Sequence, residues 1–275
     1  MSTRFNPFLD KAPEEIPLPD SPLVRVIAQV QFSNQLGLVE RPTISAIQKA
    51  LGQDFPALDE QNLQTFLFDL TAGEGGGQIK PQSSPQLQWR FSHPDTGFVL
   101  QINSTSVTLE TTRYTSRADF FEKFRGCLEA VHRESPLSSV IRLGVRYLDR
   151  VPDSRCGDIH ALLSEEYRDL TGFAFDVPIL ADMRDFLVQI TPEDGMLHAR
   201  TGFIPKGATV DPSVLMPLDE RSWVLDLDLF RQAPPMIPFQ PGVIADAASA
   251  FALRIYTVFR WLVNPEFLRT FGGKI

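Results

Sequence analysis

The stretch VIRLGVRYLDRV, Val140 to Val151, alternates in period two: Ile141, Leu143, Val145 and Tyr147 share one parity, and Arg142, Gly144, Arg146, Leu148 and Arg150 the other. Successive side chains of a strand point to opposite faces, so Arg142, Arg146 and Arg150 lie together on one face and the apolar set on the other. A segment of this kind needs a sheet with one buried face and one less buried face. The three arginines would then line the less buried face.

More strands follow the same rule. Leu23 to Phe32 (LVRVIAQVQF) is bounded by Pro22 and a turn region at Asn34 to Gly37, and Gln64 to Leu70 reads as the next strand. The Gly73 to Pro85 stretch, rich in Gly, Gln, Ser and Pro, reads as a loop. Leu87, Trp89 and Phe91 alternate, Asp95-Thr96-Gly97 supplies a turn, and Phe98 to Ile102 and Val107 to Thr111 follow. Later, Met183 to Ile190 and Met196 to Ile204 flank Pro-Glu-Asp-Gly as a hairpin, and Trp223 to Phe230 is a further strand.

Helical periodicity separates these groups. In RPTISAIQKALG, Thr43 caps a short helix whose stripe is Ile44, Ile47 and Leu51. Ser116 caps a longer one carrying Phe120, Phe124, Cys127, Leu128 and Val131 on one side. A helix is expected from about Ile159 to Leu170, with Gly172 beyond it. A Pro-rich loop (Pro234, Pro235, Pro238, Pro241) then leads to a long helix with Ile244, Ala248, Phe251, Ile255, Phe259 and Leu262 on its apolar face.

The order strand, helix, strands, long helix occurs twice, and Arg25, Val26, Ala28, Gln29 and Val30 fall opposite Arg142, Leu143, Val145, Arg146 and Tyr147 at a constant offset. The expected fold is α+β, in two similar halves, each a curved antiparallel sheet packed by a long helix. Residues 1–21 form an extended Pro-rich arm, 22–136 the first half and 137–275 the second. Five prolines within MSTRFNPFLDKAPEEIPLPDSP exclude a regular helix in the arm, and Phe5, Phe8, Leu9, Ile16 and Leu18 suit it to packing on the body or on a partner, with a free tail equally open. The topology is similar to helix-grip and TATA-binding-protein-like folds.

Chemistry is sparse. Cys127 sits on an apolar helical stripe and reads as a core thiol, while Cys156 lies in a loop beside Arg155. The four histidines, His93, His132, His160 and His198, show no metal-ligand spacing, and GEGGG (Gly73 to Gly77) lacks the Lys-Ser/Thr of a phosphate loop. No catalytic residue, metal or cofactor is assigned. In WVLDLDLF, Asp226 and Asp228 share a strand face, and an acidic row beside the arginine row makes a cross-strand charge ladder. Arginines oriented by carboxylates are also recognition groups. The candidate binding residues are therefore Arg142, Arg146, Arg150, Arg25, Asp226 and Asp228.

The segments PLVRVIAQVQF, WRF, RYTSRADFFEKF, IRLGVRYLDRV and FRWLVNPEFLRTFG together resemble a sporadically distributed bacterial protein family of unknown function, with RLGVRYLDR as the most specific part. The resemblance spans nearly the whole chain and implies no catalytic residue. Its patchy occurrence implies an accessory role such as defence, immunity or toxin control.

A net charge of −8 opposes charge-driven binding to nucleic acid or to an anionic membrane. The N-terminus has acids and prolines where a signal peptide needs an apolar run, no stretch is expected to span a membrane, and two cysteines fit a reducing cytoplasm. The expected function is a non-enzymatic binding or regulatory protein that engages a protein partner, with self-association open. Two alternatives stand beside it: a small-ligand binder or enzyme with a pocket between sheet and helix, and a nucleic-acid-binding accessory protein.

Overall fold

The computed structural model describes residues 5–67, 82–165, 167, 180–191 and 195–275. In chain order the elements are β1 (Leu23–Phe32), a 3-10 turn (Leu36–Val39), α1 (Arg41–Leu51), β2 (Ala57–Leu67), β3 (Gln82–Ser92), β4 (Phe98–Asn103), β5 (Ser106–Thr111) and α2 (Arg117–Glu134). They continue as β6 (Ser139–Pro152), a second 3-10 turn (Ile159–Leu162), β7 (Asp182–Thr191), β8 (Gly195–Ile204), β9 (Ser222–Pro238), α3 (Pro241–Leu262) and α4 (Pro265–Thr270). The strands join in one nine-stranded sheet, ordered β2-β3-β4-β5-β1-β6-β9-β8-β7, with every described pairing antiparallel.

Period-two burial separates the two faces. Val26, Ala28, Val30 and Phe32 of β1 are buried, as are Leu143 and Val145 of β6. This face meets the apolar stripes of the helices: Phe120, Phe124, Cys127, Leu128 and Val131 from α2, and Ile244, Ala248, Phe251, Ile255 and Leu262 from α3, all within one continuous core. Ser116 caps α2 as its sequence implies, its Oγ accepting the Asp119 N–H at 3.1 Å. The sheet runs unbroken through the two expected halves, because β1 pairs with β6 from Val26↔Tyr147 to Gln31↔Arg142.

Several local expectations are corrected. Helix α1 starts at Arg41, before Thr43, with Glu40 flanking it and no side-chain cap; proline in its first turn presets the helical φ and needs no donor there. The second strand starts at Ala57, well before Gln64, and its proposed residues 68–70 lie outside the described residues, as does the GEGGG segment. The last residues of the expected loop, Gln82 to Pro85, belong instead to β3, with Pro85 paired with Gln64 in the β2/β3 ladder, and residues 73–81 lie outside the described residues. The expected helix from Ile159 opens as a 3-10 turn to Leu162 and is interrupted by the bridge between Leu163 and Val263; residues 168–170 and Gly172 lie outside the described residues.

The Pro-rich stretch before α3 is not a loop. β9 continues through it to Pro238, with an irregularity that sets Gln232 opposite Arg142 but Ile237 opposite Val140. A bulge admits proline because it already breaks the ladder where an N–H would be missing. Among the described residues one helix, Pro241–Leu262, is long and apolar enough by length and composition to cross a membrane, contrary to the expectation that no segment is; here it packs against α2, β6 and β9.

The N-terminal arm lies against the body. The Ile16 N–H donates to the Tyr256 hydroxyl at 2.9 Å, and Arg254 Nη1 donates to the carbonyls of Pro7 and Asp10 at 3.0 and 2.8 Å. Arg260 Nη1 reaches the Glu14 carbonyl at 3.1 Å, so the arm runs along α3.

Candidate functional site

The sheet face turned away from the helices holds the arginine row. Arg146 spends all three guanidinium nitrogens on acids: Nε and Nη2 donate to Asp226 Oδ1 and Oδ2 at 2.8 and 2.9 Å, and Nη1 donates to Asp211 Oδ2 at 3.0 Å. Asp226 is only 2% exposed and also accepts Arg200 Nε at 3.0 Å and Nη2 at 2.5 Å, so one buried carboxylate is held between two guanidinium forks. Burial disfavours the Arg146 charge, but Asp226 and then Asp211 raise its pKa above the usual arginine value.

Arg142 lies next along the row. Its Nη2 donates to Asp228 Oδ2 at 3.1 Å, and its guanidinium carbon sits 4.5 Å from the centre of the Phe230 ring. A Cβ at Gly144 would meet Arg142 Nη1 at 2.6 Å, so the glycine between the two arginines is what lets Arg142 fold flat along its own strand. Burial raises the Asp228 pKa against the pull of Arg142 and Arg146. Asp211 moves the other way: burial opposes the charge, yet hydrogen bonds from Ser213 and Arg146 hold its carboxyl below the ordinary value.

Of the six residues singled out by sequence, Arg142, Arg146, Asp226 and Asp228 form this ladder. Arg25 stands two strands from β9, where its Nη1 donates to Glu110 Oε2 of β5 at 3.1 Å. Arg150 shares the parity of the row but not its surroundings. It is 4% exposed beneath the 205–221 loop, with Nη1 donating to the Met216 carbonyl at 2.5 Å. That loop is pinned to the sheet by Leu215, which packs in a small second core with Leu148, Ile204 and Val224.

Beside the ladder a groove of about 560 Å³ opens on the same face, walled at one end by Ser213 and Val214 of the loop. Its floor carries Gln61 of β2, Gln88 of β3, Gln101 of β4, Thr108 of β5, and Gln29 and Gln31 of β1, and it reaches Arg142 and Arg146 on β6. At about 4.8 Å per strand, the five steps from β2 to β6 amount to about 24 Å. Gln29 Nε2 donates to Thr108 Oγ1 at 3.0 Å and Gln31 Nε2 to Gln29 Oε1 at 2.8 Å. The charged lining residues, Arg142 and Arg146 against Glu110 and Asp228, cancel.

Sequence reading missed this strip although its signal was present. Gln29 lies between Ala28 and Val30, and Gln101 between Leu100 and Ile102, in the same alternation that exposed the arginines. Arg200 was also legible, falling opposite Asp226 in the β8/β9 register. Asp211 lies in a loop with no period to mark it. Burial pushes the Cys127 thiol up to about 12, in keeping with a core thiol. Among the described residues no group of three or more His, Cys, Asp or Glu side chains could hold a metal ion.

The chain matches no protein-family model, and no curated protein is significantly similar to it in sequence.

Proposed function

We propose that this chain is a non-enzymatic binding protein whose polar sheet face engages a protein partner, by seating an extended polar segment of that partner across the strands. The observation that carries this reading is the charge-balanced groove floored by glutamine amides. A primary amide offers both donors and an acceptor, which matches the alternating N–H and C=O groups of an extended peptide. A polyphosphate backbone instead calls for a surplus of cations, and here each arginine of the lining is matched by an acid. Gln61 and Gln101 make no side-chain hydrogen bond within the described residues, so their amides are free for a ligand.

The test begins with the partner captured by the full chain at native expression, purified and titrated by calorimetry. The Gln61→Ala/Gln101→Ala double variant should bind it at least about tenfold more weakly, the equivalent of about 1.4 kcal/mol, while melting like the parent. Equal affinity for parent and variant, or capture of only nucleic acid or a metabolite, would overturn the reading.

We also infer an origin by internal duplication. It is supported by β1 and β6 pairing at the sheet centre, with β5-β4-β3-β2 running outward on one side and β9-β8-β7 on the other. The offset that aligns Arg25 with Arg142 aligns Ala28 with Val145, and those two residues face each other across the β1/β6 pair. A cytoplasmic setting and an accessory role in defence or toxin control belong to the same proposal, resting on the free cysteines and on the resemblance carried by RLGVRYLDR.

A further inference from the structure

The arm along α3 is held chiefly by its backbone carbonyls. Residues 11–17 make no backbone–backbone hydrogen bond among the described residues, and side chains of the body take that place. Arg254 donates to the Pro7 and Asp10 carbonyls, Tyr256 and Arg260 both donate to the Glu14 carbonyl at 3.1 Å, and Arg155 donates to the carbonyls of Asp20 and Ser21. The Tyr256 hydroxyl also accepts the Ile16 N–H, so one phenol meets both polarities of the chain. An extended proline-rich segment has no internal hydrogen bonds, which leaves its carbonyls open to such donors.

Charge and shape define the same kind of ligand. Residues 5–21 carry Asp10, Glu14, Glu15 and Asp20 against Lys11 alone, and they lie on Arg117, Arg155, Arg254 and Arg260. Arg117 Nε donates to Glu15 Oε1 at 2.8 Å, while its Nη1 is steadied by Ser249 Oγ at 3.3 Å. Gly272 and Gly273 keep the floor low. A Cβ on Gly272 would stand 3.2 Å from Pro19 Cδ, and one on Gly273 2.9 Å from Leu18 Cδ2 and 3.1 Å from Ile16 Cγ2. The hold is shallow: within residues 5–21 only Pro7 is buried, Leu9 is 62% exposed, and no strand pairing adds to the contacts. Segments with so few buried contacts open at little cost.

We propose that this arginine- and tyrosine-bearing face is a docking site for an extended, acidic, proline-containing segment of a protein partner, and that residues 5–21 are its resident occupant, which the partner displaces. The donors to carbonyls recognise an extended chain, Arg117 selects a carboxylate, and the glycine floor admits a proline. A phosphate backbone would satisfy the arginines but supplies no N–H for the Tyr256 hydroxyl. The site belongs to the helical side of the sheet, away from the glutamine-lined groove, and stands whether or not that groove binds a protein.

The probe is a fluorescein-labelled peptide of residues 5–21, titrated with the full chain and followed by anisotropy. Glu15→Lys/Ile16→Asp loosens the resident arm and leaves the seat intact. This chain should bind the peptide at least about tenfold more tightly than the parent, because its site is free in a larger fraction of molecules. Adding Arg254→Ala/Arg260→Ala should weaken that binding at least about tenfold. Should the combined variant fail to fold, a second peptide carrying Glu14→Lys and Glu15→Lys gives an independent measurement, with binding to the loosened chain at least about tenfold weaker than that of the first. Equal affinity of parent and loosened chain, or equal affinity for the two peptides, would overturn the proposal. So would loss of peptide binding in Gln61→Ala/Gln101→Ala, which would place the peptide in the groove, or tighter binding of a single-stranded oligonucleotide than of the peptide. A parent dimer that Glu15→Lys/Ile16→Asp dissolves would give the seat to the arm of a second copy and overturn it as well.

Discussion

Arg146→Ala separates a structural ladder from a decorative one. The substitution removes three charge-assisted hydrogen bonds, two of them to a carboxylate that is 2% exposed. Arg200 continues to donate twice to Asp226 Oδ2, but Oδ1 loses the Arg146 donor. Removing one partner of a buried pair costs about 3–5 kcal/mol when the other is left alone. With one of the two forks retained, the expected cost is about 2–4 kcal/mol.

Arg142→Ala sets the scale. Its acid, Asp228, is 25% exposed and receives one bond from it, and the Phe230 contact adds a cation-π term, so the expected loss is about 1 kcal/mol. Urea unfolding followed by far-ultraviolet circular dichroism reads both values, and an unchanged m-value shows that the midpoint shift is a change in stability. Arg146→Lys should recover less than half of the loss, since an ammonium cannot present the fork that Asp226 accepts. Equal midpoints for Arg146→Ala and Arg142→Ala, or a parent-like midpoint for Arg146→Ala, would show that the geometry of the ladder carries no stability.

Asp149 is 7% exposed, and burial pushes its pKa up to about 7, so the folded chain retains a proton that the unfolded chain releases near pH 4. Stability should fall as pH rises through that window, by up to about 4 kcal/mol, and level off above it. Asp149→Asn should flatten the profile between pH 5 and 8, and an unaltered slope would remove Asp149 as its cause. Phe124 is 0% exposed at the centre of the α2 stripe, so Phe124→Ala should cost about 3–5 kcal/mol in the same urea assay, and an unchanged midpoint would take it out of the core. Gly202 holds a positive φ of 148°, with the Asp182 carbonyl oxygen 1.8 Å from where a Cβ would stand. Gly202→Ala should therefore cost about 1–3 kcal/mol and loosen the start of the β7/β8 ladder, seen as faster amide exchange at Met183 and Arg184; parent-like exchange would contradict this.

The elements that were legible in sequence are those whose periodicity is a local property. β1 alternates cleanly because one of its faces lies on the helices and the other on the polar side, β6 and the first part of β9 keep that alternation in sequence although the 205–221 loop covers part of their second face, and the α2 stripe repeats because a single core faces it. The misread elements answer to partners far along the chain. β9 persists through Pro234 and Pro235 only because a bulge opposite Val140 and Arg142 absorbs the missing N–H groups, and nothing within APPMIP announces that partner. The 3-10 turn after Ile159 ends where Leu163 bridges Val263, 100 residues away in sequence.

The arginine row shows the same division at the scale of the site. Arg146 and Arg150 are four residues apart on one strand face, and strand geometry fixes that they share it. It does not fix what lies over them. Arg146 opens onto the groove because the glutamine strip beside it is uncovered, whereas Arg150 is sealed because Leu215 anchors the 205–221 loop on Leu148 and Val224. That loop has no periodicity, so the sequence carries no sign that one arginine becomes a ladder rung and the other a buried cation. Their different chemistry follows from the cover. A paired guanidinium at the groove edge orients its neighbours for a ligand, while the enclosed one donates to the Met216 carbonyl and so fastens the loop that covers it.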